Sequence, residues 1–343
     1  MPNPGPGQLT TDEGLALIEK LSHFRASPTE RLPVLVLTGG DVLMRPDLFQ
    51  LVSAARLAGL SVALAPSVTP RLTPTVLTEL RNLGVSSISI SLDGATPATH
   101  QGIRGVAGHF ELTLAALRLA TDLGFKTQVN TAVMRANTRE LAGVAAIVKE
   151  VGASAWEVFF LVKVGRGRDQ QELSPPENED VCHFLYDASH YGFAVRTVEA
   201  PWYRRVMAER ARERVGGLAS ARALGPLYQE LSEELRHRLG PAEKASNSAS
   251  AGTRDGKGIF FISHDGCAFP AGFLPLRLGN VKEEDPVAIY RDHELLKAIR
   301  RAEFSGRCGR CELRDLCGGS RSRAWASFGD PLGQDPACGY VPA

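Results

Sequence analysis

The sequence lacks the features that mark membrane-spanning, secreted and nucleic-acid-binding proteins. No apolar run approaches the roughly 20 residues that a transmembrane helix needs. The N-terminal stretch is polar and rich in turn formers, without the apolar core of a signal peptide. The formal net charge is only +1, so neither nucleic acid nor a membrane surface is expected as a partner. We therefore expect a cytoplasmic globular protein, and 343 residues suffice for one large domain and a small one.

Cysteine is scarce and unevenly placed, with none before Cys182. Because a reducing cytoplasm disfavours disulfides, metal ligation is the favoured explanation for the six that are present. Four of them form a CX2CX5CX20C pattern near the C-terminus: Cys308, Cys311, Cys317 and Cys338. A CX2C pair can hold a metal centre from one tight turn, and two more thiolates complete the shell that zinc or an iron–sulfur cluster requires. Spacing alone leaves zinc and iron–sulfur equally open.

The other two cysteines have different surroundings. Cys182 lies in an amphipathic stretch and is predicted to be a small core residue. Cys267 follows Asp265-Gly266 in a predicted hairpin turn, and a ligand role for it is the minor alternative.

Short apolar runs alternate with helical patterns over the first 200 residues. The predicted strands span residues 34–37, 61–65, 86–92, 127–133 and 155–162. Thr10 and Glu13 form a capping-box pattern at the start of the first helix. Continuous apolar strands that alternate with helices indicate a parallel sheet, in which ligands bind beyond the carboxyl ends of the strands. Periodicity leaves an open sheet and a partial barrel as alternatives.

Composition divides the rest of the chain. Residues 201–239 have a helical pattern rich in arginine and glutamate, whereas residues 240–258 are typical of a flexible linker. A smaller cysteine-bearing module is predicted from residue 259 onward.

Three segments together resemble one family. They are LVLTGGDVLMRP at 35–46, SISLDG at 89–94 with His100 and Arg104 after it, and the cysteine-rich segment 308–340. Their order and spacing are similar to those of radical SAM enzymes with a SPASM or twitch extension, over essentially the whole chain. The resemblance implies an α/β fold: a partial (β/α)6 barrel at 1–200 that lacks its first strand and so keeps five. A helical bridge and linker at 201–258 and a SPASM/twitch-like iron–sulfur domain at 259–343 would follow.

The resemblance also implies a site for S-adenosylmethionine (AdoMet). Gly39, Gly40 and Asp41, which follow the first predicted strand, match the family positions that hold the amino group of AdoMet. Ser91 and Asp93 match positions near its ribose, and Arg104 matches one near its carboxylate. Asn130, on the next strand, faces the cofactor in the same comparison. Turn-capping polar residues and a surface arginine are the ordinary alternatives.

The same comparison favours iron–sulfur over zinc. The CX2CX5C run with a distant fourth cysteine matches the family's second auxiliary [4Fe–4S] cluster. Arg321 and Ala271 stand where cysteines of the first auxiliary cluster are expected, so one auxiliary cluster is implied. Since four thiolates would leave no open iron, electron transfer is its implied role. A reductant such as ferredoxin or flavodoxin is the implied protein partner.

One family motif is not found in the sequence. The radical-forming [4Fe–4S] cluster needs CX3CX2C, and no such triplet is present. No catalytic residue is therefore assigned, and that cluster is expected only if a longer chain supplies it. We expect either such a longer chain, which the cofactor motifs favour, or a homologue that kept the scaffold and lost the chemistry.

Two functions follow as hypotheses. The first is a radical SAM/SPASM-type oxidoreductase or maturase that acts on a peptide or cofactor precursor in its full-length form, with the printed chain inactive in radical chemistry. The alternative is a catalytically dead iron–sulfur or zinc scaffold that binds a partner or AdoMet.

Overall fold

A computed structural model of the chain describes residues 7–24, 32–214, 224–242, 244–248 and 252–342. Its main feature is a six-stranded parallel sheet in which each strand pairs with the next one along the chain. The strands are β1 (Val34–Leu37), β2 (Ser61–Leu64), β3 (Ser87–Ser91), β4 (Lys126–Val133), β5 (Ala155–Phe160) and β6 (Ala194–Val198). This order, with helices between the strands, confirms the predicted α/β class and the parallel partial barrel.

Helices connect the strands and cover one face of the sheet. They are α1 (Thr11–Ser22), α2 (Leu48–Leu57), α3 (Pro74–Asn82), α4 (Pro97–Arg104), α5 (His109–Asp122), α6 (Leu141–Glu150), α7 (Pro175–Ala188), α8 (Tyr203–Arg214) and α9 (Pro226–Leu239). Short 3-10 turns occupy Val42–Met44, Thr138–Glu140, Gly165–Asp169 and Ser189–Tyr191. The predicted capping box is present at α1, where Glu13 N–H donates to Thr10 Oγ1 and Thr10 N–H donates to Glu13 Oε2. No helix among the described residues is both long enough and apolar enough to cross a bilayer.

The sheet contains one strand more than the five that the sequence predicted. Strand β6 pairs with β5 in parallel register, from Ala155 opposite Ala194 to Phe159 opposite Val198. Its sequence, AVRTV, is short, and Arg196 and Thr197 interrupt the apolar run on which strand prediction depends. The expected strand count was therefore wrong, because β6 is defined by its pairing with β5 rather than by its own composition.

The two faces of the sheet differ in chemistry. In β4, buried residues alternate with partly exposed ones, so Val129 packs into the core while Asn130 faces the opposite side. The helix-covered face carries apolar side chains such as Ile90 and Trp156, both at most 1% exposed. On the inner face, register places Ser91, Asn130, Glu157 and Arg196 side by side on β3 to β6. We call these four residues the polar row.

A second, smaller unit follows. It contains an antiparallel sheet of β7 (Phe261–Ile262), β8 (Cys267–Phe269) and β9 (Gly279–Asn280), and the helices α10 (Pro286–Asp292), α11 (Glu294–Arg300), α12 (Gly306–Arg310) and α13 (Arg321–Phe328). Its own core is built from Ala268, Leu278, Val281, Ile289, Leu296 and Ile299. Arg323 joins it to the main sheet by donating hydrogen bonds of 2.9 Å to the carbonyls of Glu199 and Leu161. The C-terminal unit thus sits against the carboxyl ends of β5 and β6.

Candidate functional site

The loop after β1 presents backbone to open space. Gly39 has φ +148°, and a Cβ at Gly39 or Gly40 would meet nothing within 4 Å. Asp41 caps the 3-10 turn that follows by accepting from Leu43 N–H at 3.1 Å. Its other oxygen accepts from Thr69 Oγ1 at 2.9 Å. This predicted site is therefore open on its glycine side, while its carboxylate is already held by two local donors.

Two of the predicted AdoMet residues bind each other. Arg104 Nη2 lies 2.6 Å from Asp93 Oδ2, and the Asp93 side chain is 3% exposed. Asp93 Oδ1 also accepts from Ala132 N–H at 2.8 Å. Burial raises the pKa of Asp93, although Arg104 and the Ala132 amide act in the opposite direction. The pair lies where β3 ends and α4 ends, at the carboxyl edge of the sheet.

His100 contacts this ion pair through the backbone of Asp93. Its Nδ1 accepts from Asp93 N–H at 3.1 Å, and its Nε2 lies 2.8 Å from His109 Nδ1. Burial, with repulsion from His109 and Arg104, lowers the pKa of His100 to about 4. A neutral imidazole therefore accepts at Nδ1 and carries its proton on Nε2.

The polar row brings Ser91 and Asn130 together and extends beyond them. Asn130 Oδ1 and Glu157 Oε2 each accept from Gln128 Nε2 at 2.8 Å. Burial raises the pKa of Glu157, while Arg196 beside it acts in the opposite direction. The row thus runs from the predicted AdoMet positions on β3 and β4 to a carboxylate and a guanidinium on β5 and β6.

A cavity of about 480 Å³ lies at the far end of the row, between β6 and the C-terminal unit. Its charged lining residues are Glu157, Arg196, Glu199, Arg204, Arg254 and Asp255. Sequence analysis missed all six as site residues. A signal was present for Glu157 and Arg196, because each interrupts an apolar strand at an inward-facing position. Arg254 lies in the segment predicted to be a linker and gave no such signal.

Glu199 is an unusual residue in this cavity. It adopts φ +59°, which is strained for a residue with a side chain, and it is only 7% exposed. Its Oε2 accepts from the Ser320 hydroxyl, while Oε1 has no hydrogen-bond partner among the described residues. Burial raises the pKa of Glu199 to about 8, and Asp255 adds in the same direction. The raised pKa favours the protonated form of the Glu199 carboxyl group at neutral pH.

The four C-terminal cysteines lie in one place. Cys308 is near enough to act electrostatically on Cys311, Cys317 and Cys338. None of the four forms a disulfide. Among the described residues, Glu179, His183 and Glu209 are the one trio of possible ligand atoms within 4.8 Å of one another, so no three cysteine sulfurs are that close. Arg205 already donates hydrogen bonds to two members of this trio, Glu209 and Glu179.

Backbone N–H groups point at the cysteine sulfurs. Cys317 Sγ accepts from Gly319 N–H at 3.4 Å, and Cys308 Sγ accepts from Asp335 N–H at 3.3 Å. The amides two residues after Cys311 and Cys338 act in the same way and lower the thiol pKa. Burial outweighs these bonds and raises the pKa of Cys317 to about 12 and that of Cys338 to about 11.

A fully buried arginine lies against this cluster. Arg321 is 0% exposed and donates to the carbonyls of Gly319 and Gly333, at 3.2 and 2.6 Å. Its Nη2 lies 3.7 Å from Cys308 Sγ, and its guanidinium stacks 4.3 Å from the Phe304 ring centre. A permanent positive charge thus stands beside the sulfurs.

The remaining cysteines are separate. Cys182 is 0% exposed in α7, which confirms its prediction as a core residue. Cys267 opens β8 directly after the predicted hairpin turn, and its Sγ accepts from Asn280 Nδ2 at 3.7 Å.

Comparison with known proteins gives one consistent result. The family model described as "Radical SAM superfamily" matches residues 3–145. The "AdoMet-dependent heme synthase" of Methanosarcina barkeri (strain Fusaro / DSM 804) is 35% identical over 338 residues, covering 98% of this chain and 89% of the relative. The protein of the same name from Nitratidesulfovibrio vulgaris is 33% identical over 343 residues, covering 99% and 86%. Among solved structures, "native anSMEcpe with bound AdoMet and Cp18Cys peptide" has a TM-score of 0.62 at 15% identity, covering 96% of this chain and 86% of that one, which indicates a shared fold.

Proposed function

This chain belongs to the radical SAM superfamily, and from that premise we propose that it acts in the AdoMet-dependent modification of a tetrapyrrole precursor of a heme-type cofactor. Two relatives named AdoMet-dependent heme synthase support the substrate class, since both align over nearly the whole chain. The observation that carries the proposal is the cavity of about 480 Å³ at the end of the polar row. Its volume lies in the range of sites for cofactor-sized ligands.

The carboxyl edge of the sheet would hold AdoMet. The open backbone at Gly39 and Gly40 leaves room for the amino group, and the Asp41 carboxylate supplies the opposite charge. Asp93 holds Arg104 in place at the same edge, where its guanidinium can face a carboxylate. AdoMet with a reduced [4Fe–4S] cluster supplies hydrogen-atom abstraction in this family.

The four C-terminal cysteines would hold one auxiliary [4Fe–4S] cluster. Amide donors to the sulfurs and the buried Arg321 favour a centre that carries negative charge. The CX2CX5C run with a distant fourth cysteine matches the pattern of an auxiliary cluster in the family, and this favours the cluster over zinc. Because all four ligands are protein thiolates, we propose a role in electron transfer, with a ferredoxin or flavodoxin as reductant.

The chain's own residues prepare the cavity for substrate. Glu199 can donate a proton from its neutral carboxyl group, and Arg196 projects a positive charge from the end of the polar row. The C-terminal unit closes one side of the cavity through residues 253–255 and 319–320, which would restrict the access of water.

The test is anaerobic reconstitution followed by incubation with AdoMet, dithionite and iron coproporphyrin III, an iron tetrapyrrole with four propionates. The 343-residue chain and the longest open reading frame that contains it should be compared. We expect 5′-deoxyadenosine and a mass change of the tetrapyrrole from whichever form carries CX3CX2C, and neither product from a form without it. AdoMet cleavage that responds only to a peptide would overturn the tetrapyrrole assignment. In that comparison we expect the 343-residue chain by itself to form no 5′-deoxyadenosine.

A further inference from the structure

We propose that His100 and His109 form a bridge that couples the two halves of the proposed AdoMet site and sets their spacing. One half is the loop at 39–41, and the other is the Asp93–Arg104 ion pair. The two histidines are positioning residues, since neither is proposed to contact the cofactor. The inference rests on the proposed AdoMet site and adds to it the connection between its halves.

The bridge begins at the backbone of Asp93. His100 is 0% exposed, and its Nδ1 accepts from Asp93 N–H at 3.1 Å. A ring nitrogen that accepts carries no proton, so the proton of the neutral imidazole lies on Nε2. Protonation of both ring nitrogens would set two N–H groups against each other at this contact. The backbone that follows β3 thus fixes the tautomer of His100.

The second step joins the two imidazoles. His100 Nε2 lies 2.8 Å from His109 Nδ1, whereas the ring centres are 5.1 Å apart, so these two nitrogens face each other. Because His100 carries its proton on Nε2, His109 Nδ1 is the acceptor. The Thr113 hydroxyl lies 3.1 Å from the same nitrogen and can donate to it. The proton of a neutral His109 is therefore on Nε2.

The bridge ends in the loop after β2. The Val68 backbone forms a hydrogen bond with His109 that raises the pKa of this imidazole, as expected of a carbonyl that accepts from it. Nδ1 of His109 already faces His100 and Thr113, so Nε2–H is the donor to Val68. Three hydrogen bonds in series therefore run from the end of β3 to the end of β2.

The neighbours of Val68 hold the first half of the proposed site. Ser67 Oγ donates to the Gly40 carbonyl at 2.5 Å, and Thr69 Oγ1 donates to Asp41 Oδ2 at 2.9 Å. The same short segment thus bonds the glycine–aspartate loop through its outer residues and the histidine bridge through its middle one. A shift at either end of the bridge is thereby transmitted to the other end.

The surroundings of the bridge favour two neutral imidazoles. Burial lowers the pKa of His100 to about 4, with repulsion from His109 and Arg104 in the same direction. Burial and Arg104 also lower the pKa of His109, although Val68 and Asp93 oppose them. Both histidines bind protons less readily in the folded chain than in the unfolded one. The bridge is therefore complete above pH 6.5 and is lost as the pH falls from there toward 4.

A competing explanation is that His100 only caps the backbone at Asp93 and that His109 is an incidental neighbour. Two variants separate the explanations. His100→Asn keeps an oxygen that can accept from Asp93 N–H but is too short to reach His109. His109→Leu cuts the bridge at the other ring, and Thr113 Oγ1 remains 3.4 Å from His100 Nε2 as a substitute partner. A bridge requires both variants to act alike, whereas a local cap requires both to resemble wild type.

The experiment combines hydrogen exchange, read by mass spectrometry without AdoMet, with equilibrium dialysis of AdoMet, both on the reconstituted full chain at pH 7.5. In His100→Asn and His109→Leu, we expect exchange of the peptides 39–47 and 65–71 to be at least about threefold faster than in wild type. AdoMet affinity should fall about fivefold or more in both variants. His237→Gln, on an exposed residue of α9, is the matched control and should resemble wild type in both measurements.

The outcomes separate the inference from the function on which it rests. Unchanged exchange in both variants would overturn the bridge while AdoMet binding by wild type keeps the site. Faster exchange with unchanged AdoMet affinity would overturn the positioning role. Equal acceleration at 286–300, in the C-terminal unit, would indicate general destabilisation and count against the bridge. Absence of AdoMet binding by wild type would overturn the proposed site and the positioning role together.

Two further arms keep the inference open to refutation. Because the bridge needs neutral imidazoles, the difference in exchange between wild type and the variants should narrow below pH 6.5. A difference that stays constant down to pH 5 would contradict this requirement. If His100→Asn does not fold, His109→Leu, on a residue that is only partly buried, decides between bridge and cap by itself.

Discussion

Arg104 and Asp93 form an ion pair of 2.6 Å at the carboxyl edge of the parallel sheet. The sequence predicted the two as separate contacts of AdoMet. Their pairing means that each controls the position of the other, since Asp93 is buried and Arg104 is the cation that faces it. The edge is thereby held in shape before any cofactor binds.

This pair predicts a specific pattern of stability. Arg104→Gln should lower the free energy of unfolding by about 2–4 kcal/mol, because it leaves the buried Asp93 carboxylate without its cation. The double variant Asp93→Asn/Arg104→Gln should recover most of that loss in urea denaturation. Arg118→Gln breaks an exposed pair with Glu150 and should cost less than about 1 kcal/mol.

AdoMet affinity, measured by equilibrium dialysis on the same variants, separates structure from cofactor binding. If Arg104 faces the AdoMet carboxylate, the double variant regains stability and remains weak in AdoMet binding. Recovery of both properties together would mean that the pair is structural only.

The cysteine cluster predicts a metal content that depends on each ligand. Cys311→Ser should reduce the iron of the reconstituted protein from about four atoms per chain to less than about one. Because metal binding contributes to folding, residues 259–343 should also become more sensitive to proteolysis. The control is Cys267→Ser. Cys267 hydrogen-bonds to Asn280 and Asp265, and these contacts need no metal, so this variant should keep the iron content of wild type. Stoichiometric zinc without iron in wild type would contradict the cluster, and retained iron in Cys311→Ser would remove that residue from the ligand set.

The features predicted from the sequence were those with a local cause. Strands β1 to β5 were visible because each carries apolar residues at consecutive or alternating positions, and the cap of α1 was visible because Thr10 and Glu13 satisfy each other three residues apart. The cysteine pattern was visible because ligand spacing follows from the reach of a tight turn.

The features missed were set by packing between distant segments. Arg254 lies in a stretch with linker composition, yet the C-terminal unit buries it to 5% exposure. Glu199 follows β6 in a left-handed conformation that its own sequence does not favour, and Ser320, 121 residues away, holds its carboxyl group. The cavity lies between two units, so no segment of the sequence contained its pattern.

Glu199 predicts how stability depends on pH. Its pKa is raised by burial from about 4.5 to about 8, so its favourable contribution is complete below pH 4.5 and is lost as the pH rises through 8. Relative to Glu199→Gln, the free energy of unfolding of wild type should therefore fall by about 1.4 kcal/mol per pH unit across that window. Urea denaturation at four pH values between 5 and 8 measures the difference. Glu150→Gln, on an exposed side chain, should give a curve parallel to wild type, and a parallel curve for Glu199→Gln would refute the prediction.

The edge strand β1 predicts self-association of the 343-residue chain. Among the described residues, β1 pairs with β2 alone, which leaves one row of backbone groups free to pair with another strand. Val34 and Val36 on this strand are 56% and 52% exposed, so an incoming strand would also bury apolar surface. Val36→Lys should slow aggregation at least about threefold in light scattering, because an edge lysine would have to be buried on pairing.

The control for this prediction must separate pairing at the edge from general surface hydrophobicity. Leu57 is 87% exposed at the end of α2, where no strand can pair. Leu57→Lys removes more exposed apolar surface than Val36→Lys and adds the same charge. If backbone pairing at β1 drives association, Leu57→Lys should leave the aggregation rate within about twofold of wild type. Equal protection by both variants would mean that charge or surface polarity, rather than the open strand edge, controls association.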